Sequence, residues 1–398
     1  MKATSRYRAL REPAFAGLLA TNFVLGLTSA FIVPFGSLWA TQEIGMSSRT
    51  LGLFMTINSL SAIVLSTLIA RWSDSGISRR RLLFIGSLAG MLGNLGFASA
   101  RDPVVLTLIG SSLMAIASIN FAQLFAYVRE DLGRREHGAA DAPFMMGVLR
   151  AFYALAWTVG PIIGGRVVTR FGYLAIFLAA SALFVVFSLF VFVFVAERPP
   201  EPRLRPNEPL SWGLGQPSVL AHCVAFGLMF AAFTLNTLNL PLFLTQKLGA
   251  TEQGVGTAFA ISPLFEMLFM VWFGHIATRG HQKRVIIFGV VAATCYFLML
   301  RFVTAAWHVY PMQVLNAAAV AVTTSVVIPY FQDLLPRQAG VATSLYSNAL
   351  KVGGLIGFTA FGLLATQLGN AGLFLLCAAL SATTLTIVAL TRRAAAPG

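Results

Sequence analysis

The sequence predicts an all-α integral membrane protein whose twelve transmembrane helices form two pseudo-symmetric halves of six. The first observation is composition: hydrophobic residues make up 57% of the chain and charged residues 11%, and the mean hydropathy is +0.78. A soluble domain carries about 25% charged residues. The second is a series of apolar runs of roughly 20 or more residues, the length that crosses a hydrocarbon layer of about 30 Å. The third is a repeat between the halves.

Twelve apolar runs are separated by short polar breaks. They lie near residues 14–39, 51–70, 82–100, 103–128, 143–168, 173–195, 217–244, 253–277, 285–304, 307–332, 341–366 and 371–391. The first run follows basic residues, as in a secretory signal, but it is longer than the roughly 7–15 residues of a signal core. It therefore predicts a retained first transmembrane helix.

A proline-rich segment separates the two halves. Glu197–Pro217 holds six of the seventeen prolines, together with several charged residues. Because proline interrupts helices and the charges need water, this segment predicts an exposed linker. We therefore divide the chain into a first six-helix bundle (residues 1–196), a linker (197–216) and a second six-helix bundle (217–398).

Basic residues indicate the orientation in the membrane. An even number of spans places both termini on one side, which has these basic residues: Lys2, Arg6, Arg8, Arg11, Arg71, Arg79, Arg80, Arg81, Arg129, Arg134, Arg135, Arg198, Arg203, Arg205, Arg279, Lys283, Arg284, Arg337, Arg392 and Arg393. The other side has only Arg49, Arg101, Arg166, Arg170, Lys247 and Arg301. The positive-inside rule makes the termini and the linker cytoplasmic. The net charge of +14 forms no continuous basic face, so no nucleic-acid partner is expected.

The halves repeat one another at a nearly constant offset. Thr41-Gln42-x-x-Gly45 recurs, at an offset of 204, as Thr245-Gln246-x-x-Gly249. Further pairs, at offsets of 202 to 204, are Ser47 and Thr251, Gly52 and Gly256, Arg79-Arg80 and Lys283-Arg284, Glu130 and Asp333, Gly138 and Gly340, and Ala140 and Ala342. With an even number of spans in each half, these are parallel repeats about an axis along the membrane normal.

Two segments have the residue spacing of known motifs. Arg71–Arg81, with Asp74 and a basic triplet, resembles the loop between the second and third helices of the major facilitator superfamily. The departures from that pattern are Ala70 for Gly, Ser75 for Arg and, in the second half, Thr278 for Asp. Gly160–Gly165 is similar to a Gly-Pro-x-x-Gly-Gly signature associated with exporters of that superfamily.

Three further segments, from both halves of the chain, carry a more specific resemblance. They are Thr56–Asn58, Ala122–Glu130 and Phe331–Thr343 with Asn348. Their resemblance is to the bacterial sugar efflux transporter family. It implies the major facilitator fold and a proton-driven exporter of small sugars or glycosides, working by alternating access in the bacterial inner membrane. We expect a monomer without a cofactor, whose partners are the sugar, protons and the lipid bilayer.

Three ionisable residues lie where lipid should exclude charge. They are Arg150, about 10 Å into the fifth run, Glu266, near the middle of the eighth, and Lys351, about 15 Å into the eleventh. A charge at the centre costs at least about 2.5–3.5 kcal/mol, so each side chain should face a partner or a wet cavity. The separation of Arg150 and Lys351 along the chain is close to the repeat offset, and two cations flanking one cavity would attract an anion.

Glu266 is the carboxylate placed deepest within a span. A carboxylate whose surroundings alternate between open and closed can bind and release a proton. We therefore predict that Glu266 couples transport to protons. The alternative is that Glu266 is permanently paired with Lys351 or hydrogen-bonded to a neighbouring helix.

A sugar site needs neutral donors and acceptors and flat apolar faces. The predicted substrate-binding residues are Asn22, Asn58, Asn120, Gln123, Arg150, Tyr153, Trp157, Asn236, Asn239, Asn348 and Lys351. Several share a helix face, because they are spaced by three, four or seven residues. Alternatively, such polar residues hold transmembrane helices together.

The loop motif predicts a conformational latch at the cytoplasmic face. Its residues are Asp74, Arg79, Arg80, Arg129, Glu130 and Asp333. Asp74 can accept hydrogen bonds from a helix N-terminus, and the arginines can meet carbonyls or carboxylates. Alternatively, the arginines only fix topology and touch anionic lipid.

Other functions remain open on the sequence. A multidrug or amphiphile antiporter is the nearest alternative, and an uptake symporter would share the same physical features. A transporter-like receptor would be expected to carry an appended soluble domain. Cys223, Cys295 and Cys377 all lie in apolar runs and predict neither a disulfide framework nor a metal site. No nucleophile–base pattern and no phosphate-binding loop indicates an enzyme or an ATP-driven pump.

Overall fold

The computed structural model describes residues 12–74, 76–134, 138–197, 215–336 and 338–391, and every regular element in these ranges is helical. The α-helices of seven or more residues are α1 (Pro13–Ala30), α2 (Ser48–Asp74), α3 (Arg79–Ser99), α4 (Pro103–Ile109), α5 (Ile119–Arg134), α6 (Gly138–Phe194), α7 (Pro217–Leu242), α8 (Glu252–Ile276), α9 (Gln282–Leu300), α10 (Val309–Ser325), α11 (Val327–Leu334) and α12 (Ala339–Leu390). Most of the predicted linker lies outside the described residues.

The described helices supply twelve membrane spans. Nine helical segments are long and apolar enough to cross a bilayer, and three of them have 49 to 51 residues, about twice the length that one crossing needs. These three segments are Phe144–Phe194, Glu252–Leu300 and Gly340–Leu390. Each contains a glycine with non-helical backbone angles, at Gly172, Gly280 and Gly369 respectively. Divided at these breaks, the nine segments give twelve spans, and the predicted all-α membrane fold is confirmed.

The turns that end the spans are repeated in the two halves. Six glycines in the described part have a positive φ, a conformation that costs other residues energy. They form three pairs: Gly45 with Gly249 and Gly76 with Gly280, both at the offset of the sequence repeat, and Gly172 with Gly369, at a slightly smaller offset. The chain therefore turns at equivalent positions of the two repeats.

The first of these turns has the same hydrogen bonds in both halves. It follows a π-helical turn, Trp39–Glu43 in the first half and Phe243–Lys247 in the second. Within each π-helical turn a threonine hydroxyl, of Thr41 or Thr245, donates to the carbonyl four residues earlier, at 2.8 and 3.0 Å. The sequence repeat is thus a repeat of local structure.

The helices that follow these turns, α2 and α8, begin with equivalent caps. The Ser47 hydroxyl accepts a hydrogen bond from the Thr50 amide at 3.1 Å, and the Thr251 hydroxyl accepts one from the Gly254 amide at 3.2 Å. Each hydroxyl satisfies an amide that the first turn of a helix leaves unpaired, which stabilises the helix by about 1 kcal/mol.

The described residues form two compact units. The first lies within Met1–Phe35 and Ile57–Arg203, and the second within Gly36–Thr56 and Leu204–Gly398. The core of the first unit includes Phe15, Leu25, Leu124, Phe184 and Phe187. The core of the second includes Phe226, Val322, Tyr330, Phe331 and Tyr346. Large apolar side chains are also exposed, Val271 at 77% and Phe192 at 65%, as helices surrounded by lipid require.

In the first unit, α1 and α6 cross at small residues. A methyl group on Gly160 would lie 2.6 Å from the Ala30 side chain, and one on Gly26 would lie 2.6 Å from that of Ala156. Carbon atoms do not pack so closely, so the glycines allow the two helices to approach. The segment Gly160–Gly165, which begins with the Gly-Pro pair, thus lies at a close crossing of two helices.

In the second unit, α12 contacts α7 and the first turns of α2 through glycines. A methyl group on Gly353 would lie 2.3 Å from the Gly227 carbonyl oxygen, and one on Gly52 would lie 2.3 Å from the Gly362 Cα. One turn further along α2, the hydroxyls of Thr56 and Thr359 are 3.2 Å apart and share a hydrogen bond.

Candidate functional site

Glu266 lies within α8, three residues after Pro263, and its side chain is half-buried. The Thr324 hydroxyl, on α10, lies 3.4 Å from Glu266 Oε1, to which it can donate a hydrogen bond. The shortest hydrogen bond of the same hydroxyl, at 2.8 Å, goes to the Val320 carbonyl. No ion pair joins Glu266 to Lys351 or to any other cation of the described residues. Among the described residues, the carboxylate therefore has one long, weak hydrogen-bond partner.

Arg150 and Lys351 are both partly accessible within their spans. Arg150 is exposed on α6 and Lys351 is half-buried on α12. Neither makes a hydrogen bond or an ion pair with the part of the chain that the structure describes. Since an unpaired cation in lipid is costly, these side chains favour wet surroundings or a ligand.

Tyr153 and Trp157 follow Arg150 along α6, at three and seven residues. The Tyr153 ring packs edge-on against Phe121, with 4.9 Å between centroids, and its hydroxyl lies near Ser29 and Trp157. The Trp157 indole nitrogen is buried and has no hydrogen-bond acceptor among the described residues. Arg150, Tyr153 and Trp157 thus place one cation and two aromatic rings along one helix of the first unit.

Three amides of the first unit lie between helices. Asn22 is fully buried and donates to the Leu149 carbonyl at 2.7 Å, the contact expected of a residue that joins α1 to α6. Asn58 is half-buried, and a side chain at Gly110 would overlap it. Asn120 is 1% exposed, and neither atom of its amide has a partner in the described part of the chain.

Arg79 begins α3 and joins it to α5. Its guanidinium donates two hydrogen bonds to the Glu130 carboxylate and a third to Gln123 Oε1 at 2.7 Å. The Arg79 side chain is only 10% exposed, so this bidentate ion pair is largely shielded from water. Gln123, which we predicted to bind substrate, is thereby engaged with Arg79.

The other predicted latch residues have different surroundings. The Arg80 guanidinium donates to the Phe192 carbonyl at 2.7 Å and lies over the Phe192 ring, 5.1 Å from its centroid. Arg129 is exposed on α5, and Asp333 is exposed in the last turn of α11. The side chain of Asp74 lies outside the described part.

A network of neutral polar side chains joins four helices of the second unit. The Tyr296 hydroxyl, on α9, accepts from Asn236 Nδ2 at 3.5 Å and from Gln313 Nε2 at 3.2 Å. Asn316 Nδ2, on α10, donates to the Ser262 hydroxyl on α8 at 3.0 Å and to Gln313 Oε1 at 3.3 Å. We refer to these five residues as the amide network.

Two further predicted amides lie outside this network. Asn239 is fully buried and donates to the Asn370 carbonyl at 2.9 Å, which ties α7 to α12. Asn348 is exposed on α12, three residues before Lys351.

Of the amide network, Asn236 was predicted from the sequence, and the other four residues were not. Gln313 and Asn316 are two amides three residues apart within one apolar run, which is a signal that the sequence contains. Tyr296 and Ser262 gave no such signal. A buried His222 was also missed: its Nδ1 lies 2.6 Å from the Ser218 carbonyl and its Nε2 lies 2.9 Å from the Tyr330 hydroxyl. Because a carbonyl only accepts, Nδ1 carries the hydrogen and Nε2 accepts from Tyr330.

Known proteins similar to this chain include two that are named as transporters. It is 33% identical over 381 residues to a Deinococcus radiodurans protein named "Putative sugar efflux transporter", covering 93% of this chain and 95% of that one. It is 29% identical over 359 residues to Sugar efflux transporter A of Dickeya chrysanthemi, covering 90% of each. A class D tetracycline resistance protein of Salmonella ordonez is 24% identical, covering 73% of this chain and 72% of that one.

Among solved structures, the crystal structure of nucleoside transporter NupG is similar in fold. The TM-score is 0.72 at 12% identity, with 95% of this chain and 98% of that chain covered. The sequence model of the family described as Major Facilitator Superfamily matches residues 18–222 and 222–398, which include both halves. The chain therefore belongs to the major facilitator superfamily.

Proposed function

We propose that the chain is a proton-coupled exporter of small sugars or glycosides that works by alternating access. The observation that carries the proposal is its similarity, over nearly the whole chain, to two proteins named as sugar efflux transporters. We place it in the bacterial inner membrane as a monomer with both termini cytoplasmic, as its basic residues favour.

Glu266 is the proposed proton-coupling residue. It lies within a span, it is half-buried, and its nearest partner is a neutral hydroxyl at 3.4 Å. A carboxylate that no cation neutralises can gain or lose a proton when access to water changes, and this is the property that coupling requires.

The proposed sugar contacts in the first unit are Arg150, Tyr153 and Trp157. A cation with unused donors can bind sugar hydroxyls, and an aromatic face can cover the apolar side of a sugar ring. In the second unit, Asn348 and Lys351 provide an accessible amide and cation on one helix. The remaining predicted residues, Asn22, Asn58, Asn120, Gln123, Asn236 and Asn239, are proposed to shape the site from positions between helices.

The ion pair between Arg79 and Glu130 is the proposed centre of the cytoplasmic latch. Its geometry is bidentate and largely shielded from water, so it is stronger than an exposed pair. Arg80, Arg129, Asp74 and Asp333 are proposed as further members.

A multidrug or amphiphile antiporter is the second candidate. It is favoured by the similarity to a tetracycline resistance protein, which is weaker than the similarity to the sugar efflux transporters. A cationic dye distinguishes the two candidates, because a drug exporter would transport the dye and a sugar exporter would not.

Proteoliposomes test the proposal. Purified protein is reconstituted, a proton gradient is imposed, and the flux of radiolabelled lactose, glucose, arabinose and a cationic dye is measured. We expect gradient-driven flux of at least one sugar and none of the dye. We expect Glu266→Gln to abolish the dependence on the gradient.

Glu252→Gln is the matched control, because it makes the same chemical change at the beginning of the same helix. It should leave proton-driven flux unchanged. Flux of the dye alone would favour the drug exporter, and full proton-driven flux in Glu266→Gln would exclude Glu266 as the coupling residue.

A further inference from the structure

In the amide network, the amide nitrogens have hydrogen-bond partners and two of the amide oxygens do not, within the described residues. The side-chain nitrogens of Asn236, Gln313 and Asn316 all donate to atoms within the network. Gln313 Oε1 accepts from Asn316. The oxygens that remain, Asn236 Oδ1 and Asn316 Oδ1, are buried acceptors for which the described residues provide no donor.

Such acceptors are costly in a protein interior. A buried carbonyl oxygen without a donor has lost its hydration and gained nothing in return. Asn236 is 6% exposed, so its oxygen is well shielded from bulk solvent. Two such oxygens belonging to one connected network are therefore suited to a ligand that supplies hydrogen-bond donors.

Tyr296 connects two of these amides. Its hydroxyl is completely buried, and it accepts from Asn236 on one side and from Gln313 on the other. Without this hydroxyl, the nitrogens of both amides would lose an acceptor, and both side chains would be free to rotate. The phenol therefore helps to position Asn236 and Gln313 and, through Gln313, Asn316.

The chemistry of the network defines the class of ligand. All five of its members are uncharged, so it would not compensate the desolvation of an ion. Its free groups are acceptors, which selects a molecule rich in hydroxyl donors over one that only accepts. Ser262 precedes Glu266 by one turn of α8, so a ligand held here would lie close to the proposed proton site.

We propose that the amide network is a hydroxyl-binding subsite of the second unit, in which the oxygens of Asn236 and Asn316 accept hydrogen bonds from a neutral sugar and Tyr296 acts as a positioning residue. This assignment rests on the proposed function and adds to it the residues that select a neutral polyol. Four of the five residues were outside the set that the sequence predicted.

The test is the concentration dependence of sugar counterflow in proteoliposomes. Wild type is first offered lactose, glucose and arabinose, and the sugar with the largest flux is used throughout. We expect Tyr296→Phe and Asn316→Leu each to raise KM about tenfold, with the maximal rate changed less than twofold, because each removes about one hydrogen bond to the ligand or its support. Monodeoxy derivatives of the same sugar serve as competitors. At least one should compete about tenfold more weakly than the parent sugar in wild type and equally well in Asn316→Leu.

Thr294→Val is the matched control. Thr294 lies on the same helix as Tyr296, and its hydroxyl donates to Ser381 at 3.0 Å, outside the network. Loss of the Thr294 hydroxyl should leave KM within twofold of wild type. If Tyr296→Phe gives no monodisperse protein, the KM values of Asn316→Leu and Ser262→Ala decide whether the network binds the sugar.

The outcomes separate the subsite from the proposed function. No flux of any sugar through wild type would overturn the proposed function and, with it, the ligand of this subsite. Sugar flux in wild type with KM values for Tyr296→Phe and Asn316→Leu equal to that of Thr294→Val would overturn the subsite alone, and would identify the network as helix packing.

Discussion

At the scale of single residues, polar side chains that cannot be distinguished in the sequence differ in burial and in hydrogen-bond partners. Asn22 and Asn239 are fully buried and each donates to a carbonyl of another helix. Asn348 is exposed on the same helix as Lys351. All three are asparagines in apolar runs, and only their neighbours distinguish a helix contact from a group that can meet a ligand.

Arg79 illustrates how much depends on side-chain geometry. Its planar guanidinium reaches both oxygens of Glu130 and the oxygen of Gln123 at once, whereas an ammonium group is a single point of charge. We expect Arg79→Lys to lose part of these contacts, to lower the transition temperature of the purified protein and to slow transport. Differential scanning fluorimetry and sugar flux measure the two effects.

Arg81→Lys is the control for this substitution, because the Arg81 side chain is 70% exposed and, within the described residues, makes one ion pair, with Glu197 at 3.2 Å. Exposed pairs contribute about 0–1 kcal/mol. Equal decreases of the transition temperature and of sugar flux in Arg79→Lys and Arg81→Lys would show that the shielded geometry of Arg79 has no special role.

At the scale of helices, α6 offers a matched pair of glycines. Gly160 is pressed against Ala30 of α1, whereas a methyl group on Gly147 would meet nothing within 4 Å in the described residues. We expect Gly160→Ala to destabilise the protein by about 1–3 kcal/mol, because the added methyl group forces the helices apart. Thermal unfolding in detergent measures the effect.

Gly147→Ala should be neutral or stabilising by up to about 1 kcal/mol, because alanine favours a helix more than glycine does. The prediction for the crossing of α1 and α6 would be wrong if Gly160→Ala were as stable as Gly147→Ala.

Much of the helical organisation could be predicted from the sequence. Apolar runs and the nearly constant offset between the halves predicted the spans and their repeat, because span length is a local property of the chain. The contact between Thr56 and Thr359 could not be predicted, since the order of spans does not specify which helices are neighbours. The same reason explains why the amide network, with members on four helices, was missed apart from Asn236.

At the scale of the whole molecule, alternating access requires some contacts to break and re-form. The contact of α2 with α12 at Thr56 and Thr359 is one that cross-linking can hold. In a background without Cys223, Cys295 and Cys377, we expect Thr56→Cys combined with Thr359→Cys to form a disulfide on oxidation and to stop sugar flux. Reduction should restore the flux.

The single variants Thr56→Cys and Thr359→Cys control for the oxidant and should transport sugar before and after treatment. A cross-linked double variant that still transported sugar at the rate of the reduced protein would mean that this contact does not open during the cycle.

In the proposed function, sugar export is coupled to protons moving in the opposite direction. The most direct measurement uses proteoliposomes loaded with sugar and a trapped pH-sensitive dye, diluted into sugar-free buffer at the same pH. Outward sugar flux should draw protons inward and acidify the interior, and Glu266→Gln should abolish the acidification. Sugar efflux with a constant interior pH, or with an interior that becomes alkaline, would contradict the account.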